Sequence, residues 1–308
     1  MKPQSPDTSL DAELVLIRMI RAAPVSRRFA FVQAWTASMI EAGRCYIQQL
    51  YPHASADEIQ WLYLERQYGH TLADQLRHFC STHHIQPTPT PDMYAAIVPF
   101  VRALERLALP YALFGSLASS LYGLQRATQQ IDLLADLRQE HLPALCQVLE
   151  GSSILHYQEQ DSSLEHLSSF TFVHLQSLLK IVVTPAEQLI GEQSLTQQVR
   201  RLVLVEENEP IAVLAPETLI VSLLNAFRRS EERADDLWYD LLGILKVQRT
   251  NLDMLLLEQQ AALGDVSALL ARALLDAGLR TESRSLNKQQ MPSRFRQRRQ
   301  KSTLKKVV

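Results

Sequence analysis

Apolar positions recur at helical spacing over the first quarter of the chain. Leu14, Ile17 and Ile20 fall on one face of a helix that opens near Thr8 and Ser9, with Asp11 and Glu13 in its first turn. Phe29, Val32, Met39, Ile40 and Ile47 predict a second helix from about Ser26 to Leu50. Ser55 and Glu58 form an S-x-x-E capping box before WLYLERQY, and Gly69 supplies the stop of a third helix. A short fourth follows Thr71. The stretch STHHIQPTPTPD (Ser81 to Asp92) then breaks the pattern, because alternate prolines favour extended backbone.

Beyond it, helices and period-two strands alternate. A helix ending near Leu109 leads to the strand PYALF, the turn and short helix GSLASSLYG, and the strand QIDLLADL. A helix at His141 to Leu149 follows, then strand-like SFTFVHL and LLKIVVT. RLVLVEENEPIAVLAP predicts a hairpin with Glu207 and Asn208 in its turn. From Pro216, which suits a first helical position, the chain is helical again through DLWYDLLGILKVQ and VSALLARALLDAG to Gly278. The expected fold class is α+β (α/β), a small mixed-sheet core with helical flanks. The expected divisions are 1–80 as an N-terminal helical domain, 81–91 as a Pro-rich linker, 92–215 as the core, 216–279 as a C-terminal helical region and 280–308 as a basic disordered tail.

Composition adds little to this except at the C-terminus. The 308 residues are 46% hydrophobic and 21% charged, a globular balance with room for two domains. Residues 280–308 hold ten Lys and Arg against Glu282 alone, so that the overall −2 divides into +9 there and −11 on residues 1–279. Such a tail can neutralise nucleic-acid phosphates, fold back on the acidic body, or simply remain solvated. No apolar run reaches membrane-spanning length, and the first residues lack a signal-peptide pattern, so a cytoplasmic, non-membrane protein is expected. Cys45, Cys80 and Cys146 lie far apart without C-x-x-C spacing and support neither a disulfide framework nor a structural zinc site. His83 and His84 read as a polar loop pair, and EERADD (Glu231 to Asp236) reads as an acidic helix start.

The chemistry resides in YALFGSLASSLYG followed by RATQQIDLLADL. A small-residue turn before a helix lets backbone N–H groups approach an anion. Acids two apart on a strand point to one face, where they can fix divalent cations for phosphoryl or nucleotidyl transfer. These segments resemble the DNA-polymerase-beta-like nucleotidyltransferase superfamily, and most nearly its bacterial AbiEii and minimal-nucleotidyltransferase group, which includes toxins of toxin–antitoxin systems. The resemblance spans about Asp92 to Gly278 and also draws on SFTFVHLQSLLKIVVTP, APETLIVSLLNAFRR and DLWYDLLGILKVQ. It implies a helix-opening Gly-Ser pair, matched by Gly115 and Ser116. Lys180, Arg126 and Arg200 are candidate phosphate contacts, with surface salt bridges as the default reading of such side chains. The resemblance also implies Mg2+, a nucleoside triphosphate, and RNA or protein as acceptor.

The same pattern implies three metal-binding acids, at positions 130, 132 and 182. Asp132 is present, but Gln130 and Val182 occupy the other two. Gln130 offers a neutral carbonyl and Val182 no ligand, a poor donor set for hard cations. Asp136 keeps the parity of Asp132 but lies about 13 Å further along an extended strand. The leading expectation is a nucleotidyltransferase-fold protein with impaired catalysis that retains affinity for nucleotide or RNA. One alternative is an active transferase whose metals are held by Asp132 and a further acid such as Asp136 or Glu187. Another is an interaction module that binds a protein partner through its N-terminal helices. Oligomeric state is open.

Overall fold

The computed structural model describes residues 1, 3, 7–88, 90–157, 169–191 and 193–279. The basic tail at 280–308 lies outside the described residues. Four helices come first: α1 (Leu10–Ala22), α2 (Val25–Leu50), α3 (Ala56–Tyr68) and α4 (His70–Thr82). Then follow α5 (Met93–Arg106), β1 (Tyr111–Phe114), α6 (Gly115–Tyr122), β2 (Gln130–Ala135), α7 (Leu142–Leu149), β3 (Ile154–Tyr157), β4 (Phe170–His174), β5 (Leu179–Pro185), α8 (Glu187–Ile190), β6 (Val199–Leu202) and β7 (Ile211–Leu214). The last helices are α9 (Pro216–Arg229), α10 (Asp235–Gln248), α11 (Met254–Leu263) and α12 (Ser267–Asp276). The fold is α+β, as expected.

Local sequence sets several of these boundaries. The Ser9 hydroxyl accepts from the Ala12 N–H at 3.2 Å and opens α1. At α3 the capping box is complete, with the Ser55 N–H donating to Glu58 Oε2 at 2.7 Å and the Glu58 N–H to Ser55 Oγ at 3.3 Å. Asp92 caps α5 through the Ala95 N–H at 3.0 Å, directly after the proline stretch. Pro216 fills the first turn of α9, where a missing N–H costs nothing.

The seven strands form one mixed sheet in the order β3-β4-β5-β2-β1-β7-β6. β1 runs antiparallel to β2 and parallel to β7, and β2 runs parallel to β5. The hairpin read between Arg201 and Pro216 is the antiparallel pair β6–β7. β3 was not legible as a strand in the sequence; it pairs antiparallel with β4 and forms one edge.

Alternation gives the centre of the sheet two unlike faces. Ile131, Leu133, Ile181, Val183 and Phe172 are buried on one face, where Phe100 of α5 meets Phe172 edge-on at 4.8 Å. Gln130, Asp132, Lys180 and Val182 project from the other and are only partly buried. That second face is covered by N-terminal helices. Trp61, Leu64, Leu72 and Leu76 of α3 and α4 pack on Val173, Leu175 and Leu178, while Phe29 and Val32 of α2 enter the main core. α1 packs on α10 through Ile17, Ile20 and Val247, beside the buried pair of Lys246 Nζ and Glu13 Oε1 at 2.6 Å.

One expectation needs correction. Asp136 is not on the strand of Asp132: β2 ends at Ala135, and the exposed Asp136 donates its N–H to the Pro110 carbonyl at 3.0 Å.

Candidate functional site

The site is built around Asp132. Antiparallel pairing sets Asp132 opposite Phe114, the last residue of β1, so the chain turns into α6 directly over the carboxylate. Gly115 makes that turn at φ +63°, a left-handed conformation that side chains disfavour. A Cβ at this position would also collide with the Asp132 carboxylate. Two separate constraints therefore require glycine here. The Ser116 N–H, at the start of α6, donates to Asp132.

Parallel pairing then fixes the neighbours. Gln130 lies opposite Lys180, and Asp132 opposite Val182. The three positions at which the resembled family carries acids are thus adjacent on one face, and the chain supplies one acid, one amide and one methyl-bearing side chain. The Gln130 side-chain N–H donates to Asp132 Oδ1, closing off part of the carboxylate that would otherwise face a cation. Burial pushes the Asp132 carboxyl above its ordinary range, against the lowering effects of the Gln130 amide, the Ser116 N–H, Arg126 and Lys180.

The loop before β2 is anchored from distant helices. The Thr128 N–H donates to Thr36 Oγ1 at 3.0 Å and the Thr36 hydroxyl returns a bond to the Thr128 carbonyl at 3.1 Å, tying the loop to α2. Ser116 Oγ and Thr128 Oγ1 are 2.7 Å apart, and Thr128 Oγ1 donates to the Gln130 carbonyl at 3.0 Å. Gln129 donates to the Tyr63 hydroxyl. Arg126 forks onto Asp240 of α10, Nε to Oδ1 at 2.8 Å and Nη2 to Oδ2 at 2.8 Å. Burial raises Asp240, and its bonds and charge contact with Arg126 oppose that rise.

Above this loop opens a cleft of about 590 Å³, lined by Met39 and Gly43 of α2, Tyr63, Gln67 and Tyr68 of α3, the 126–130 segment and Lys180. Tyr68 donates to the Leu178 carbonyl at 3.1 Å, and burial raises its hydroxyl far above the usual range. Two cations, several amides and an aromatic wall suit a planar anion-bearing ligand.

They do not suit Mg2+. A magnesium ion needs near-octahedral oxygen ligation, and here a single carboxylate is engaged by an amide and backed by valine. Among the described residues, no group of three His, Cys, Asp or Glu side chains is placed to hold a metal ion.

The sequence-predicted residues divide cleanly. Gly115, Ser116, Gln130, Asp132, Lys180 and Val182 converge around the Asp132 carboxylate, and of these Gln130 and Lys180 line the cleft. Arg200 does not: it lies on β6, at the opposite edge of the sheet, its Nη2 donating to both oxygens of the buried Glu217 at 2.9 and 3.1 Å. Glu187 is exposed and begins α8, past the end of β5. Asp136 lies at the Tyr111 end of β1, the end away from α6. Thr36, Tyr63, Tyr68, Thr128 and Asp240 were missed, and of these only Thr128, beside the motif, left a local signal.

No family model matches the sequence, and no curated protein matches it significantly. Among solved structures it is similar to an antigenic nucleotidyltransferase-like protein from Paracoccidioides brasiliensis, with 17% identity, covering 59% of this chain and 92% of that one, at a TM-score of 0.37. It is also similar to ANT(2")-Ia in complex with adenylyl-2"-tobramycin, with 15% identity over 56% of this chain and 98% of that one, at a TM-score of 0.40. A third is the lincosamide antibiotic adenylyltransferase LnuA, lincomycin-bound, with 14% identity over 51% of this chain and 98% of that one, at a TM-score of 0.35. Overlaps this loose leave the reading of the site to its own geometry. No helix among the described residues is long and apolar enough to cross a membrane.

Proposed function

We propose that this chain is a nucleotidyltransferase-fold protein that keeps the glycine turn and a neighbouring cleft but has given up two-metal transfer, and that it binds a nucleotide or RNA phosphate in that cleft without a divalent cation. The observation that carries this reading is the register at Asp132. Val182 stands opposite it, and the Gln130 amide sits two residues away in bonding contact. An amide N–H donated to a carboxylate supplies part of the compensation a bound cation would supply, with no route to polarising a phosphate. Arg126 and Lys180 provide the positive charge. The AbiEii-like grouping and any toxin–antitoxin setting rest on the motif resemblance, and a cytoplasmic location on the sequence pattern.

A transfer assay tests the loss of chemistry. The native chain is offered all four labelled nucleoside triphosphates, Mg2+ or Mn2+, and bulk tRNA or the protein itself as acceptor, beside a Gln130→Asp, Val182→Asp double variant. The native chain should stay silent; robust Mg2+-dependent labelling by it would overturn the reading. Retention is measured separately, as binding of labelled nucleoside triphosphates and RNA in EDTA. No binding at millimolar ligand would remove the second half of the proposal.

A further inference from the structure

The longest helix carries an apolar stripe that stays about half exposed, with the Arg27 guanidinium 5.8 Å from the Phe31 ring centroid and that of Arg66 5.3 Å from the Tyr46 ring. Phe31, Trp35, Met39, Tyr46 and Leu50 of α2 are between 40 and 51% exposed. At about 100° per residue they fall within roughly a 100° arc, a continuous stripe about 28 Å long. The arc beside it, through Phe29, Val32, Thr36, Ile40 and Ile47, faces the core. Helices usually keep polar side chains on such a free flank. A patch of this size on a soluble body marks an interaction surface.

The stripe is symmetric about its own middle. Turned through two-fold symmetry about a point between residues 40 and 41, α2 sets Phe31 against Leu50, Trp35 against Tyr46, and Met39 against Ala42. Each member of these pairs lies on the same exposed arc. Ser38 and Ala42 are small and exposed on this arc, so the two helices can approach closely at the centre. At the C-terminal end the stripe runs into an open groove of about 590 Å³ lined by apolar Leu50, Pro52 and Leu62 and by charged Glu58, Asp74 and Arg77. In the antiparallel arrangement Phe31 comes against Leu50 at the mouth of that groove. Knob and groove thus complement each other within one sequence.

We infer that the protein forms an isologous dimer through antiparallel contact of α2 with α2 of a second copy. Five side chains about half exposed offer roughly 100 Å² each, hence about 500 Å² per copy and about 1,000 Å² for the pair, the lower limit for a specific interface. Self-complementarity of a single patch is what a two-fold interface requires. Met39 and Gly43 also line the cleft over Gln130 and Lys180, so the second copy would border each cleft.

The test is sedimentation of the full chain from about 0.1 to 100 µM, a span bracketing micromolar association. The expected species at the upper end has twice the 35.0 kDa chain mass, and Trp35→Glu or Tyr46→Glu, both at exposed sites, should return it to monomer with unchanged circular dichroism. A second pair of variants reads the register, in a chain whose exposed Cys45 is replaced by serine. Ala42→Cys should cross-link to its symmetry mate under mild oxidation, because the two positions lie about 4.5 Å apart along the helix axis; Gln49→Cys, about 25 Å apart, should not. A monomer throughout, a dimer indifferent to both glutamates, or cross-linking through Gln49→Cys in place of Ala42→Cys would each overturn the inference.

Discussion

Two arginine clamps reach the C-terminal helices, one from the loop before β2 and one from β6, and they differ in grip and in surroundings. Arg126 forks onto Asp240 of α10 through Nε and Nη2, whereas Arg200 reaches both oxygens of Glu217 of α9 with Nη2 alone. The guanidinium sides are 41 and 39% exposed, and the carboxylates 4 and 2%. In exposure the two pairs are near copies. Glu217, however, also accepts the Asp253 N–H at 3.0 Å ahead of α11, whereas Arg126 borders the cleft beside Lys180 and acts on Asp132. One clamp joins helices together, and the other shapes a binding surface. A basic residue beside a motif therefore becomes informative only once its neighbours in space are known.

The largest effect should separate the two clamps by stability. Arg126→Met strips the partner from a buried carboxylate and should lower unfolding free energy at pH 7 by about 2–3 kcal/mol, after allowance for the half-exposed guanidinium. Burial already raises the Asp240 carboxyl, and losing Arg126 removes what opposes that rise. A raised acid favours the folded state in its protonated form, so part of the loss should return as pH falls through the raised value. Arg200→Met should cost less, because Glu217 keeps the Asp253 N–H. Urea unfolding at pH 5 and pH 7 gives both comparisons; equal losses with no pH dependence would erase the distinction.

The next effect concerns binding. Arg126→Met should weaken nucleotide retention in EDTA by about tenfold, the equivalent of one charge-assisted hydrogen bond, while Arg200→Met leaves it unchanged. Equal effects, read by equilibrium dialysis, would mean that the cleft is not where the phosphate sits.

The smallest effect is at Asp132. Its carboxyl is raised by burial, so the folded state loses stability as pH climbs from the ordinary carboxylate range through the raised value. Asp132→Asn should flatten that slope, a difference under about 1 kcal/mol given the bonds from Gln130 and Ser116 that offset burial. Parallel pH profiles for native and variant chains would show that the carboxylate is not the titrating group.

What the sequence disclosed and what it hid follow one physical rule. Gly115, Ser116, Gln130, Asp132, Lys180 and Val182 were legible because strand parity and motif order are local, and parity alone places residues 130 and 132 on one face. Pairing of β2 with β5 then put residue 182 where the motif order suggested. Asp136 was misjudged by continuing that parity past Ala135, where the strand stops. The supports of the site were invisible, because Thr36 reaches Thr128 across 92 residues and Asp240 reaches Arg126 across 114. Nothing in a helix-forming stretch records which distant loop it will hold. β3 escaped because four residues after a Gly-Ser turn carry too little alternation to register.

The reciprocal bonds between Thr36 and Thr128 also bear on how the protein is made. Contacts across such separations form late, since chain closure must be paid before they contribute. During synthesis α2 emerges well before the loop it anchors, and Asp240 emerges well after it. A nascent chain halted near residue 230 would already contain the glycine turn, Asp132 and Lys180, yet would lack the clamp on Arg126. The cleft is thus lined entirely by residues up to Lys180 yet braced by Asp240, so a premature stop should yield the lining without its last brace.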